Sequence, residues 1–420
     1  MLKESAVATV PVAGRSPRDE PLQDEPVRGE LPAGLPSAAL VDLDAIAANV
    51  RRLREAAAGA AVLAVVKADG YGHGMLPVAR AAVAAGADWL GVAQLGEALA
   101  LRAAGIDAPL LAWLTVPGDR FAEAVAAGVD VGVSALWTVE EVARAAAVTG
   151  VAARVHLKVD TGLGRGGCGP TDLPDVLAAL LRHQAEGAVH LVGVCSHLAC
   201  ADVPGHPSVQ AQVDAFTDAV ERVERAGLRP QLRHLANSAG ALAVPQARFD
   251  LVRPGIALYG ISPMPDHASA ADLRLTPAMS LLGRVALVKD VPAGQGVSYG
   301  LTHVTASDTT LALVPLGYGD GVPRHASAAG PVWLAGRRVP IAGRVCMDQI
   351  VLDLGGRDPA VRAGDVAVLF GPGTRGEPTA QDWADAAGTI AYEIVTRVGG
   401  RVPRHYLGGP DTETGGVHGG

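Results

Sequence analysis

Four cysteines in 420 residues, Cys168, Cys195, Cys200 and Cys346, are too few and too scattered for a disulfide framework. Their scarcity points to a reducing compartment, so a cytoplasmic location is expected. Cys195-x-His197-x-x-Cys200 superficially looks like a metal cluster. No second ligand pair stands at zinc-site spacing, and no metal is expected. Aromatic residues make up only 4% of the chain, so its cores must be packed with small aliphatic side chains. Long basic runs are also missing and the formal net charge is −8, which argues against a nucleic-acid partner. No apolar stretch approaches the roughly 20 residues of a membrane span. Near the N-terminus, Glu4 and Pro11 interrupt any signal-peptide pattern.

What the chain has is 49% hydrophobic residues and a length that suits two domains. Residues 1–37 run through Arg, Pro, Asp and Glu without periodicity and read as a disordered extension. Ser37–Val41 reads as a short strand. Leu43, Ile46, Val50 and Leu53 then form one helical face that Asp42 or Asp44 can cap. Apolar runs follow at 62–66, 89–93, 110–114, 129–133, 154–159, 191–196, 231–235 and 250–252. Most are separated by alanine-rich segments of helical period, at 75–85, 119–127, 139–148 and 209–226. Eight strand–helix units predict an α/β fold, a (β/α)8 barrel over 38–275. An open doubly wound sheet is the alternative, weakened in its dinucleotide form because no G-x-G-x-x-G follows the first strand. From about residue 276 to 410 short β runs with Gly and Pro turns take over, at 281–288, 309–314, 331–334, 339–341, 350–354 and 366–370, with one helix near 379–387. This segment predicts a mostly β domain, followed by a flexible tail over 411–420.

The densest chemistry is at Ala64-Val65-Val66-Lys67-Ala68-Asp69-Gly70-Tyr71-Gly72-His73-Gly74. An isolated lysine after an apolar run usually marks where a strand surfaces. Here a glycine-rich loop and a tyrosine follow at once, so the amine stands at a strand end beside a phosphate-compatible turn. That arrangement makes Lys67 a candidate Schiff-base nucleophile. In a barrel, strand carboxyl ends converge on one mouth. Lys158 to Arg165, Ser196-His197, His234 with Asn237 and Ser238, and Arg253-Pro254-Gly255-Ile256 all sit at such ends. Together they form a pocket of amines, guanidiniums, imidazoles and hydroxyls, suited to a phosphorylated aromatic aldehyde.

The lysine loop resembles the cofactor-attachment segment of alanine racemases. So do His156-Leu157-Lys158-Val159-Asp160-Thr161-Gly162-Leu163-Gly164-Arg165, His234-Leu235-Ala236-Asn237-Ser238, Val252 to Gly260, Val297-Ser298-Tyr299-Gly300, Gly317 to Gly321 and Gly343 to Gln349. The resemblance spans Ala38 to Arg404. It implies a pyridoxal 5'-phosphate enzyme that interconverts L- and D-alanine for cell-wall peptidoglycan, as a homodimer with shared active sites. Lys67 would bind the cofactor and act as acid/base on one face of the substrate Cα. Tyr299 of a partner subunit would act on the other, assisted by His197 and Arg253. Arg253 would face the pyridine nitrogen. Because arginine stays charged, it would keep the ring a weak electron sink and suppress transamination.

The resemblance assigns the phosphate to Tyr71, Ser238 and the amides of Gly255 and Ile256, with Asn237 and His234 beside the cofactor. Arg165 and the amide of Met347 would hold the substrate carboxylate, and Lys158 would be carbamylated to hold Arg165. Asp202, Tyr318, Arg324, Arg344, Cys346 and Asp348 would line the corridor. One departure stands out. Some relatives carry a phosphate-touching tyrosine before Arg401-Val402-Pro403-Arg404, where this chain has Gly400, so a donor is expected to be missing. Two rivals share the cofactor. A barrel amino-acid decarboxylase would be expected to place a carboxylate, not Arg253, at the ring nitrogen. A non-enzymatic cofactor-binding protein would lack the β domain and Tyr299.

Overall fold

The computed structural model describes residues 30–409. Eight parallel strands run Ala61–Val65, Trp89–Val92, Leu110–Ala112, Asp130–Val133, Ala153–Lys158, Val189–Cys195, Leu232–His234 and Leu251–Val252. Each pairs with the next in sequence, except at the last step. The eighth strand pairs with the first, Ala61 opposite Leu251 and Val62 opposite Val252. It meets the seventh through Asp250 N to Arg233 O (3.0 Å) and Arg253 N to Ala236 O (2.9 Å). The Arg233 guanidinium grips Asp250 across that seam at 2.7 and 2.9 Å. The sheet therefore closes on itself, as the count of eight strand–helix units predicted. Its strands read as apolar runs because both faces are covered, by barrel interior on one side and helices on the other.

Leu43–Ala57 is the first helix, and Leu43, Ile46, Val50 and Leu53 are all buried. Asp42 caps it, accepting from Asp44 N and Ala45 N at 3.0 Å each, a contact worth about 1 kcal/mol.

The strand before that helix, Ser37–Asp42, differs from expectation. It pairs antiparallel with Met279–Arg284 and parallel with Arg404–Leu407, inside the six-stranded sheet of the β unit. The expected barrel segment, 38–275, thus opens with a strand that belongs to the other sheet. Local pattern cannot reveal a pairing partner some 240 residues away. Residues 30–37, expected within the irregular extension, are tied to the β unit at several points. Leu31 is buried with Leu40, Leu282 and Val368. Arg284 donates to Leu31 O at 3.1 Å, and its backbone N to Pro36 O at 2.8 Å. The rest of that expected extension, and the expected tail, lie outside the described residues.

The β unit adds a three-stranded sheet of Leu287–Val291, Thr309–Val314 and Ile350–Asp353, and a hairpin of Gly296–Val297 with His303–Val304. The single strand expected over 281–288 is two, one in each larger sheet. The chain crosses between them where Val285 N bonds Asp365 O (2.7 Å) and Ala286 N bonds Leu313 O (2.8 Å). The helix expected near 379–387 is Ala380–Ala387, capped by Thr379 and Asp382 in a reciprocal box. A further helix, Ala391–Thr396, was not foreseen. Among the described residues no helix is long and apolar enough to cross a membrane.

Candidate active site

Lys67 follows the first barrel strand at its carboxyl end. The chain then makes a left-handed turn, with φ of 53° at Ala68, 52° at Asp69, 60° at Gly70, 52° at Tyr71 and 80° at Gly72. Three of these residues are not glycine, and each costs about 1–2 kcal/mol in that conformation. Such strain persists only where the surroundings over-determine it. Here Glu97 accepts from Ala68 N (2.7 Å) and Asp69 from Met75 N (2.8 Å). Arg404 donates to Gly72 O at 3.0 Å. His73, fully buried, sets Nδ1 between the carbonyls of Gly70 (3.1 Å) and Tyr71 (3.0 Å).

The turn aims Tyr71 inward. Its ring packs 4.8 Å from that of Tyr259, whose hydroxyl donates to Val65 O at 3.0 Å. A Cβ placed on Gly255 would collide with the Tyr71 hydroxyl, so only glycine lets the backbone come this close. Ser238 Oγ accepts from Gly255 N (2.8 Å) and Ala257 N (3.3 Å). Asn237 caps the short helix Ser238–Ala243 through Gly240 N at 3.0 Å. Tyr71, Ser238 and the Gly255-Ile256 segment thus form one cradle of hydroxyls and amides.

Beside the cradle positive charge gathers. Burial lowers the Lys67 pKa first, and Arg165 and Lys158 lower it further against Glu97. Lys158 is lowered by burial, with Arg165 and Arg253 adding to the effect and Cys195 and Asp160 opposing it. His197 falls to about 3, through burial and then Arg253, Arg165, Lys158 and Lys67. It therefore stays neutral at physiological pH. Trp113, at the end of the third strand, places its ring 5.9 Å from Lys67 Nζ. Arg253 donates to His234 Nδ1 (2.9 Å), His234 O (2.7 Å), Ser196 O (2.5 Å) and Leu235 O (3.2 Å), all from its Nη groups. Among the described residues no carboxylate is one of its hydrogen-bond partners. Asp160 accepts from Gly162 N and Gly164 N at 3.0 and 3.2 Å, fixing the turn that carries the exposed Arg165.

The remaining expected site residues lie on the β unit. Tyr299 is 70% exposed. It stands between left-handed residues, Ser298 (φ 63°), Gly300 (74°) and Leu301 (48°). Ser298 Oγ donates to Arg344 O at 2.6 Å and lies 3.4 Å from Cys346 Sγ. Tyr318 N bonds Cys346 O (3.0 Å) and Gly319 N bonds Met347 O (2.8 Å). Arg401 holds Asp348 at 2.8 Å and Asp320 at 2.9 Å. Tyr299, Tyr318, Arg344, Cys346, Met347 and Asp348 therefore share one locked loop cluster. Arg324, exposed, lies on a nearby 3-10 turn, and exposed Asp202 follows the sixth strand. Among the described residues no hydrogen bond or ring contact joins Tyr299 or Met347 to Lys67, Arg165 or Arg253 of the same chain.

Matches to two family models divide the chain the same way. Residues 41–263 match the alanine racemase N-terminal domain, and residues 278–406 match the C-terminal domain. The chain belongs to the alanine racemase family. A Streptomyces coelicolor alanine racemase is 57% identical over 391 residues, covering 92% of this chain and all of that protein. One from Thermobifida fusca is 59% identical over 370 residues, 88% and 98% of the two chains. A crystal structure of alanine racemase from D-cycloserine-producing Streptomyces lavendulae superposes with a TM-score of 0.89 at 55% identity, covering 90% and 98%. The Bacillus anthracis enzyme, solved with bound L-Ala-P, gives 0.80 at 35% identity, covering 90% and 96%.

Against this family background Gly400 needs correcting. It is exposed, and a Cβ there would meet nothing within 4 Å. The tyrosine near the cradle is instead Tyr392, on the unforeseen helix, its ring centroid 6.3 Å from that of Tyr71. Burial and then the charge of Asp202 raise its pKa to about 12. Sequence reasoning passed over Tyr392 because its helix is only six residues long, too short to show a period.

Proposed function

We infer that this chain is a pyridoxal 5'-phosphate-dependent enzyme that interconverts L- and D-alanine. The donor set supports the cofactor. A glycine-opened cradle of hydroxyls and amides suits a phosphate, a desolvated amine stands beside it, and the surrounding cations suit a phenolate. Bound there, the cofactor supplies an electron sink that acidifies the α-proton of an attached amino acid. Lys67 would hold it, with its lowered pKa favouring the free amine that attacks an aldehyde. Tyr71, Ser238, Gly255, Ile256 and Tyr392 would hold the phosphate, so no donor is lost at Gly400.

The observation that carries racemisation over decarboxylation is Arg253. It is buried, donor-only, and bound to carbonyls and an imidazole. Such a group cannot accept a proton from the ring nitrogen, so charge stays near Cα and is quenched there. Lys67 moves the proton on one face of Cα. Tyr299 serves the other from a second copy of the chain, because its own exposed position offers it outward. Two copies then assemble head to tail, each β unit over the other's barrel mouth, the commonest oligomer symmetry being two-fold. Arg165 and the Met347 amide orient the substrate carboxylate. Burial lowers the Lys158 pKa, which favours the free amine that carbon dioxide would carbamylate. The resulting anion would pair with Arg165. A cytoplasmic role in supplying D-alanine for peptidoglycan fits the family.

The test is direct. Purified protein with L-alanine and D-amino-acid oxidase should release peroxide continuously, and the D to L direction should run equally to an equal mixture. No peroxide with cofactor-loaded protein would overturn the reading. An intact mass about 44 Da above the sequence mass, lost on acidification, would support carbamylation.

A further inference from the structure

A buried polar chain runs from Arg253 through the barrel core, away from the mouth. His234 Nδ1 accepts from Arg253 Nη1 at 2.9 Å. His234 Nε2 lies 2.9 Å from His156 Nδ1. His156 Nε2 lies 3.1 Å from Asp130 Oδ2. Asp130 is held at its outer end by Arg154, at 2.7 and 3.2 Å. Both imidazoles have no exposed surface and Asp130 is 2% exposed.

The proton positions in this chain are not free. Arginine only donates, so His234 Nδ1 must be bare. Burial and the neighbouring Arg253 depress the His234 pKa well below its ordinary value, so the ring is neutral and Nε2 carries its proton. His156 Nδ1 must then accept, and its own proton sits on Nε2, pointing at the carboxylate. Asp130 is an acceptor, so both ends demand the same polarity. If His156 reversed its tautomer, an N–H would face the His234 N–H. Relieving that clash by reversing His234 would set a second N–H against Arg253.

We propose that His156 and Asp130 are positioning residues for Arg253. They lock His234 as an acceptor and so hold the guanidinium aimed at the cofactor's ring nitrogen. The Nη groups of Arg253 are spent on His234, Ser196 and Leu235. The remaining donor, Nε–H, has no partner among the described residues and is the one left for the ring. The proposal deepens the racemase reading and rests on it for the ring contact, although the tautomers can be tested without it.

The test compares His156→Gln with His156→Phe in the cofactor-loaded enzyme. Glutamine keeps one acceptor and one donor side by side, and phenylalanine keeps neither. Nitrogen-15 spectra of histidine-labelled protein should show wild-type His156 and His234 as neutral Nε2–H tautomers. In His156→Phe the His234 signals should report mixed tautomers. The pyruvate released per alanine racemised, a measure of transamination, should rise by about tenfold, the change that one unit of ring-nitrogen pKa brings. His156→Gln should keep the wild-type values of both. If His156→Phe does not fold, Asp130→Leu carries the same expectation. A wild-type His234 protonated on Nδ1 would overturn the proposal. So would a folded His156→Phe with unchanged tautomer and partition, or a His156→Gln no better than it. Each of these outcomes leaves alanine racemisation itself standing.

Discussion

At the barrel mouth, Lys67 and His197 are desolvated among cations, while on the β unit Tyr299 stands 70% exposed. Both groups are nevertheless carried on left-handed backbone, Ala68 to Gly72 in one case and Ser298, Gly300 and Leu301 in the other. The mouth fixes its turn from all sides, with Glu97, Asp69, His73 and Arg404. The β unit fixes its own through Ser298 and Arg344. Each region thus holds strained backbone that aims one side chain, yet Lys67 is desolvated while Tyr299 faces solvent. In the proposed function, the desolvated amine and the solvent-facing phenol are two halves of one device. Two opposed proton carriers are what inversion at Cα requires.

The comparison can be broken from either side. Lys67→Ala should have the largest effect, a loss of alanine racemisation of about 10⁴-fold or more, since it removes both cofactor attachment and one acid/base. Coupled peroxide release measures it. Tyr299→Phe should cost about 10²–10⁴-fold while leaving the Lys67-bound cofactor's absorbance in place. Loss of that absorbance would mean that Tyr299 shapes the mouth instead of completing it. Gly255→Ala, which drives a methyl into the Tyr71 hydroxyl, should weaken cofactor binding about tenfold, read by fluorescence titration, with little change in kcat once saturated.

Acid should separate the two regions by stability. His73 and His197 have folded pKa values of about 4 and about 3, depressed mainly by burial. The unfolded chain binds protons near pH 6.5. Their stabilising contribution is therefore complete above that value and is lost as pH falls through 6.5 towards 4 and 3. Unfolding midpoints should drop over that window, and in His73→Gln the drop should shrink by a modest margin. An unchanged pH profile in that variant would remove His73 from the account of the turn.

Much of this was legible in the sequence because the signals are local. The eight apolar runs report strands covered on both faces, and the polar residues that end them report the mouth. The helix expected near 379–387 is likewise a local signal, found at Ala380–Ala387. What was not legible depends on distant pairing or on backbone conformation. Ser37–Asp42 looks like the first element of a barrel until its partners at 279–284 and 404–407 are known. Ala68, Asp69 and Tyr71 carry no sign of φ near 52°, because only the surrounding hydrogen bonds stabilise that conformation. Tyr392 reaches the cradle from a helix too short to have a period. His156 was visible only as part of a motif, and its place between His234 and Asp130 follows from strand register across the barrel.

The central claim is that the amine and the phenol of one active site come from different chains. Mixing inactive Lys67→Ala with inactive Tyr299→Phe, after unfolding and refolding together with cofactor, tests it most directly. Half of the randomly paired dimers would be mixed, and each would hold one site with both groups intact. Activity should recover to about one quarter of the wild-type value per chain. Recovery no greater than the sum of the two parents, with mixed dimers confirmed by mass, would contradict the account.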